Sequence, residues 1–227
     1  MAGARDGAGD PGESAAAPRR GPDAGLFDLW SLVYDAPLVQ RLVYRPEQDA
    51  VLRALRRQRA RRILDVGCGT GLLASRLRRE LPRAHVVGCD FSRGMLAHAA
   101  RRERAPQLVQ GTALALPFRD ARFDAVVSTE AFHWFPDPVQ ALRELRRVLV
   151  PGGRLLVSLV NPPAEWMSRA ARATSLWLRE PFDWPTRDRM RERVREAGLD
   201  VVEQHLVLRL PFPFLLPTVL TEAVRPA

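Results

Sequence analysis

The sequence contains no lysine. Its 35 basic side chains other than histidine are all arginine, set against 26 acidic residues for a net charge of +9. A lysine-free chain rich in Ala, Arg, Leu and Val is what GC-biased codon usage produces, so the charge is weak ground for a nucleic-acid partner. The arginines are spread along the predicted helices, whereas an RNA-binding face needs basic and aromatic residues clustered together. Cysteine is nearly absent. Cys68 and Cys89 stand alone, which excludes a disulfide framework or a cysteine metal cluster and suits a reducing cytoplasm. No metal site is expected. Long apolar runs are also missing: the C-terminal apolar stretch is cut by Pro211, Pro213 and Pro217, so no membrane span is expected. Residues 1–25 are rich in Ala, Gly, Pro and Asp without an apolar centre. They read as a disordered tail rather than a secretory signal.

What is present is a 46% apolar chain of 227 residues. That is enough for one domain with a core and short for two, so residues 26–227 read as a single domain. Its organising stretch is Ile63-Leu64-Asp65-Val66-Gly67-Cys68-Gly69-Thr70-Gly71. The apolar run predicts a buried strand that stops at three alternating glycines. Helix formers follow from Leu72 to Leu81. A strand, a glycine turn and a helix make a small-molecule cradle at the carboxyl end of a parallel sheet. A ligand can approach glycine backbone closely, and the helix turns its free N–H groups and dipole toward it. Gly69 to Ala74 also fits the G-x-G-x-x-A dinucleotide register, although that register leaves Asp65 and Gly67 without a role.

The rest alternates strand and helix, the pattern of an open α/β sheet. Leu26 to Tyr34 reads as an aromatic helix that either covers the sheet or closes over a ligand with Tyr34 and Asp35. Glu47 to Arg59 reads as an amphipathic helix. Ala84 to Asp90 predicts a second strand ending in a carboxylate. Asp90 could accept from a ribose diol or cap the helix predicted over Ser92 to Arg102, a task Ser92 can also perform. Gln107 to Gln110 and Phe123 to Ser128 predict strands three and four. A helix beginning at Asp137 runs to Val148, and a fifth strand spans Arg154 to Val160. Asn161 to Pro185 carries Trp166, Trp177, Phe182 and Trp184 and reads as either a substrate cap or a packing insertion. Thr186 to Ala197 predicts a helix, Val201 to Leu208 a strand, and Phe212 to Ala223 a last strand.

With D-x-G-x-G-x-G at Asp65 to Gly71, Asp90, the FDAVVS strand and LRRVLVPGGRLLVS in that order, the chain resembles class I S-adenosylmethionine (SAM)-dependent methyltransferases. It is most similar to their small-molecule, ubiquinone/menaquinone-type branch. The resemblance covers about residues 26–208. It implies a Rossmann-like α/β fold, with a seven-stranded, mostly parallel sheet whose final strand is reversed and helices on both faces. It places SAM across the ends of the first two strands. Asp65, Gly67, Cys68, Gly69 and Gly71 would surround the methionine part and Asp90 the ribose. Phe91 or Met95 would lie against the adenine, and Ser128 would offer its carbonyl to the amino group. Where relatives often carry an acid for the adenine amino group, this chain has Thr112, so Thr112 or the backbone of Ala113 would serve.

Methyl transfer from a sulfonium is an in-line displacement, so alignment is the main task. A base is needed only for some acceptors. His133, after the fourth strand, is the candidate base, since an ordinary imidazole titrates near neutrality; alternatively it packs the loop beside Trp134 and Phe135. Glu130 is the second choice. The expected reaction is methyl transfer to a small, flat or apolar acceptor. The alternatives are an NAD(P)-dependent oxidoreductase of related fold, a SAM-binding protein without catalysis, or an RNA methyltransferase.

Overall fold

A computed structural model describes residues 44–178, 182–208 and 217–227. The expected tail at 1–25, the aromatic segment at 26–34 and Tyr34-Asp35 lie outside the described residues.

In chain order the elements are helix α1 (Arg45–Gln58), strand β1 (Arg62–Val66), α2 (Leu72–Glu80), β2 (His85–Asp90), α3 (Arg93–Ala100), β3 (Gln107–Gln110), β4 (Phe123–Thr129), a short 3₁₀ turn (Phe132–Trp134), α4 (Pro138–Val148), β5 (Leu149–Val160), α5 (Glu165–Leu178), α6 (Arg187–Glu196), β6 (Asp200–Leu208) and β7 (Thr218–Val224). The strands form one sheet in the order β3-β2-β1-β4-β5-β7-β6. The pairs joining β3, β2, β1, β4 and β5 are parallel, and only β7 runs against its neighbours. The strand order reverses between β1 and β4, and in open α/β sheets ligands bind in the crevice beyond the carboxyl ends at such a switch point.

Alternation along each strand sends side chains to two cores. On one face Ile63, Val86, Ala125 and Val127 pack with Val51 and Leu55 of α1 and Leu73 and Leu77 of α2. On the other, Leu64, Val66, Val87 and Val126 pack with Leu142 and Leu145 of α4 and Met190 and Val194 of α6. A strand covered on both sides must be apolar throughout, which is why Ile63 to Val66 reads as a run. Asp65 is the exception in that run, and it stands at 1% exposure.

The helix starts follow local chemistry. Ser92 accepts from the Met95 N–H at 3.3 Å and Asp137 from the Gln140 N–H at 2.9 Å, so both act as N-caps. One expectation changes. β5 begins at Leu149, because the Pro151-Gly152-Gly153 segment stays extended and is held by Gly152 and Arg225, each donating its N–H to the other strand. The Trp-containing insertion includes helix α5, whose Ala, Arg, Met and Leu residues lie between Pro163 and Pro181.

Candidate cofactor site

The glycine loop leaves β1 at Gly67, whose φ is 72°. A Cβ there would lie 2.4 Å from the Ala131 Cβ, so the turn after β4 packs directly on bare backbone. The N–H groups of Gly67 and Cys68 both donate to the Cys89 carbonyl, at 2.8 and 3.1 Å, and latch the loop to the tip of β2. Gly69, with φ of 52°, is different: a Cβ built on it meets nothing within 4 Å. Its missing side chain faces open space. Gly71 precedes α2 and supplies no capping side chain, so the first N–H groups of that helix remain for a ligand.

Asp90 closes the loop from β2. One carboxylate oxygen accepts from the Gly69 N–H at 2.8 Å and the other from the Ser92 N–H at 2.9 Å. Ser92 does cap α3 as expected, yet Asp90 is still engaged with backbone. A carboxylate offers about four lone-pair sites, so acceptor capacity remains for a ligand hydroxyl. Burial raises the Asp90 pKa above the ordinary aspartate value, and the Ser92, Gly69 and Phe91 N–H groups oppose that rise.

Asp65 has no such partners. Both of its carboxylate oxygens are buried without a hydrogen bond. Burial, then the Asp90 and Glu47 carboxylates, push its pKa up to about 7. Glu47 of α1 is 3% exposed, with Oε1 unpartnered, and burial raises it to about 7 against the Ser158 hydroxyl facing it. Glu130, just past β4, has φ of 49°. Burial and then Glu47 raise it well above the ordinary glutamate value. The hydroxyl of Ser128 is also buried and unpartnered. Native interiors leave few such atoms unsatisfied, and here they gather at the carboxyl ends of β1 and β4. None of these carboxylates forms an ion pair with an arginine among the described residues. Burial pushes Cys89 up to about 12 and Cys68 further, so both thiols stay protonated and inert.

Farther along the sheet edge, Phe91 is 57% exposed and Met95 half-buried. Thr112 is exposed and its hydroxyl accepts from the Leu114 N–H at 3.3 Å, while Ala113 is buried. Past β4, the ring centroid of His133 lies 5.0 Å from that of Trp134 and 6.2 Å from that of Trp184, and Phe182 lies 5.2 Å from Trp184. The Asp183 N–H donates to the His133 carbonyl at 2.9 Å, joining the turn after β4 to the end of the insertion. Nδ1 of His133 is buried without a partner, and burial lowers the imidazole to about 4. It is therefore a neutral ring at ordinary pH and a poorer proton acceptor than an exposed histidine.

The structure thus brings Asp65, Gly67, Cys68, Gly69 and Asp90 together, with Ser128 at the next strand end. Phe91, Met95, Thr112 and Ala113 stand on the elements beyond β2 and β3. Sequence reasoning missed Glu47. Its signal was present: Glu47, Val51 and Leu55 are spaced by four, so a carboxylate sits on the apolar stripe of an amphipathic helix.

The methyltransferase domain family matches residues 64–157. The demethylmenaquinone methyltransferase of Streptomyces avermitilis is 35% identical over 200 residues, covering 77% of this chain and 84% of the relative. The chain belongs to the SAM-dependent methyltransferase family. The demethylmenaquinone methyltransferase of Thermus thermophilus is 50% identical over 107 residues, 45% of this chain, so the match spans about half (49%) of that relative's length. A SAM-dependent methyltransferase structure from Thermotoga maritima shares the fold with a TM-score of 0.67 at 22% identity, covering 88% of this chain and 97% of that one. The residues present fit the cofactor the family implies. Gly69 leaves open space against backbone, Asp90 keeps acceptor capacity for a diol, and the orphaned Asp65 carboxylate suits a cationic ligand. Among the described residues no helix is long and apolar enough to cross a membrane.

Proposed function

We propose that this chain catalyses methyl transfer from SAM to a small, flat or apolar organic acceptor. The observation that carries the reading is the buried, unpartnered Asp65 carboxylate beside the open cradle at Gly69. A carboxylate removed from water without a partner is costly, and a bound cation offsets that cost. Asp65, Gly67, Cys68, Gly69 and Gly71 would hold the methionine end and Asp90 the ribose. Phe91 and Met95 would flank the adenine with Thr112 and Ala113, and the Ser128 carbonyl would meet the amino group. When bound, SAM supplies the activated methyl group. The protein's part is to align the acceptor and exclude water.

The ring cluster of His133, Trp134, Phe182 and Trp184 supports a flat or apolar acceptor. Relatives named for demethylmenaquinone support the same class. In this reading residues 161–185 cap the acceptor, and the surroundings are cytoplasmic. His133, neutral and desolvated, orients the acceptor more readily than it removes a proton.

The test is incubation of the protein and SAM with phenols, quinones, small acids and lipids, followed by mass spectrometry. The expected result is one acceptor class gaining a methyl group with matching S-adenosylhomocysteine. A folded, SAM-binding protein that methylates no member of the panel would favour a binding role without catalysis.

A further inference from the structure

Two buried carboxylates and a half-buried one stand on neighbouring elements: Asp65 of β1 is 1% exposed with both oxygens unpartnered, Glu47 of α1 is 3% exposed with Oε1 unpartnered, and half-buried Glu130 follows β4, its N–H donating to the Ser158 carbonyl at 2.9 Å. Glu47 lies between the others electrostatically, since it acts on both Asp65 and Glu130. Among the described residues, the groups facing this cluster do not neutralise it. From β2 comes another carboxylate, Asp90; from β5 the Ser158 hydroxyl; from the glycine loop the protonated Cys68 thiol. Arg76 of α2 reaches α1, but it binds Gln48 and Asp49 rather than Glu47. His133, on the same turn as Glu130, is neutral above about pH 4. With no counter-charge among the described residues, a cationic ligand, or protons when none is bound, would balance the cluster.

We infer that Glu47, Asp65 and Glu130 form a cation seat that favours SAM over its demethylated product, and that Glu47 is the residue that widens this preference. The inference rests on the methyl-donor reading above. SAM carries a sulfonium and an ammonium, whereas S-adenosylhomocysteine keeps only the ammonium. A seat with surplus negative charge holds the first more tightly and releases the second after transfer. The same electrostatics couple binding to protons. Without ligand, Asp65 and Glu47 hold protons up to about pH 7. A bound cation lowers those pKa values, so binding expels protons and tightens as pH rises toward 7.

The test is isothermal titration calorimetry of the full chain with SAM and with S-adenosylhomocysteine between pH 5.5 and 7.0, in phosphate and in a buffer of high ionisation enthalpy. This window lies below the titration of an ordinary α-amino group, near 8. The expected result is proton release with SAM and about tenfold tighter SAM binding at pH 7.0 than at 5.5 for each such group. S-adenosylhomocysteine should release fewer protons and gain less. Glu47→Gln should weaken SAM about fivefold or more at pH 7.0, leave S-adenosylhomocysteine within about twofold and reduce proton release. Glu47→Asp should restore part of the preference. Equal proton release with both ligands in the unaltered protein, or an equal loss of both in Glu47→Gln, would overturn the inference. A protein that binds neither ligand would instead overturn the methyl-donor reading beneath it.

Discussion

At the scale of single residues, two neighbouring glycines separate folding from binding. Gly67 is packed against Ala131 at a left-handed φ, so Gly67→Ala brings both backbone strain and a clash. The expected cost is roughly 2–4 kcal/mol of stability, read from urea unfolding. Gly69→Ala meets no atom; it should cost about 1 kcal/mol of stability yet lose more in SAM affinity, because the new methyl fills the cradle. Equal effects of the two on stability would contradict this division. His133 gives a prediction of another kind. Burial holds its imidazole near 4, so kcat should show no His133-dependent acid limb between pH 5.5 and 7.5. His133→Ala should chiefly raise the acceptor KM. An acid limb near pH 6.5 that disappears in the variant would restore His133 as the base.

At the scale of elements, the caps are simple and local. Asp137→Ala removes the bond to the Gln140 N–H at the start of α4. It should cost about 1 kcal/mol of stability without altering SAM affinity, measured by thermal unfolding and titration. Such features were legible because a cap depends on three or four adjacent residues. β1, β2 and β4 were legible because strands covered on both faces must be apolar, and the glycine loop because its conformation demands its residues. Elsewhere the local signal was weaker. Prolines and tryptophans around α5 obscured its helix formers, and Pro151-Gly152 looked like a break although β5 passes through it. The reversal of β7 is a long-range pairing with β5 and β6 that no local pattern encodes; only family resemblance implied it. Glu47 was read as part of a covering helix. What makes it notable, the proximity of Asp65 and Glu130, arises only when α1 packs on the sheet.

At the scale of the whole molecule, the buried carboxylates shape stability against pH. In the ligand-free protein Asp65 and Glu47 keep their protons to about pH 7, whereas unfolded carboxylates lose theirs near 4. The folded state then binds more protons than the unfolded state between about pH 4 and 7. Stability should therefore fall as pH rises through that window and level off above it. His133, lowered by burial to about 4, acts in the opposite sense between about pH 4 and 6.5, but it is one group against two; Glu144, held low by its hydrogen bonds with Arg147, also opposes and matters only below about pH 4. Melting temperature at pH 5 should exceed that at pH 7.5, and saturating SAM should narrow the difference. A melting temperature that rises across the window would contradict the buried cluster.

The central claim is that this sheet edge is a SAM site. Thermal unfolding of the full chain with SAM, S-adenosylhomocysteine or NADH tests it most directly, because a ligand that binds the folded state raises stability by mass action, by about 2.7 kcal/mol at a hundred times Kd. Both adenosyl ligands should raise the melting temperature in a saturable way, and NADH should leave it unchanged. A shift with NADH and none with SAM would contradict the account.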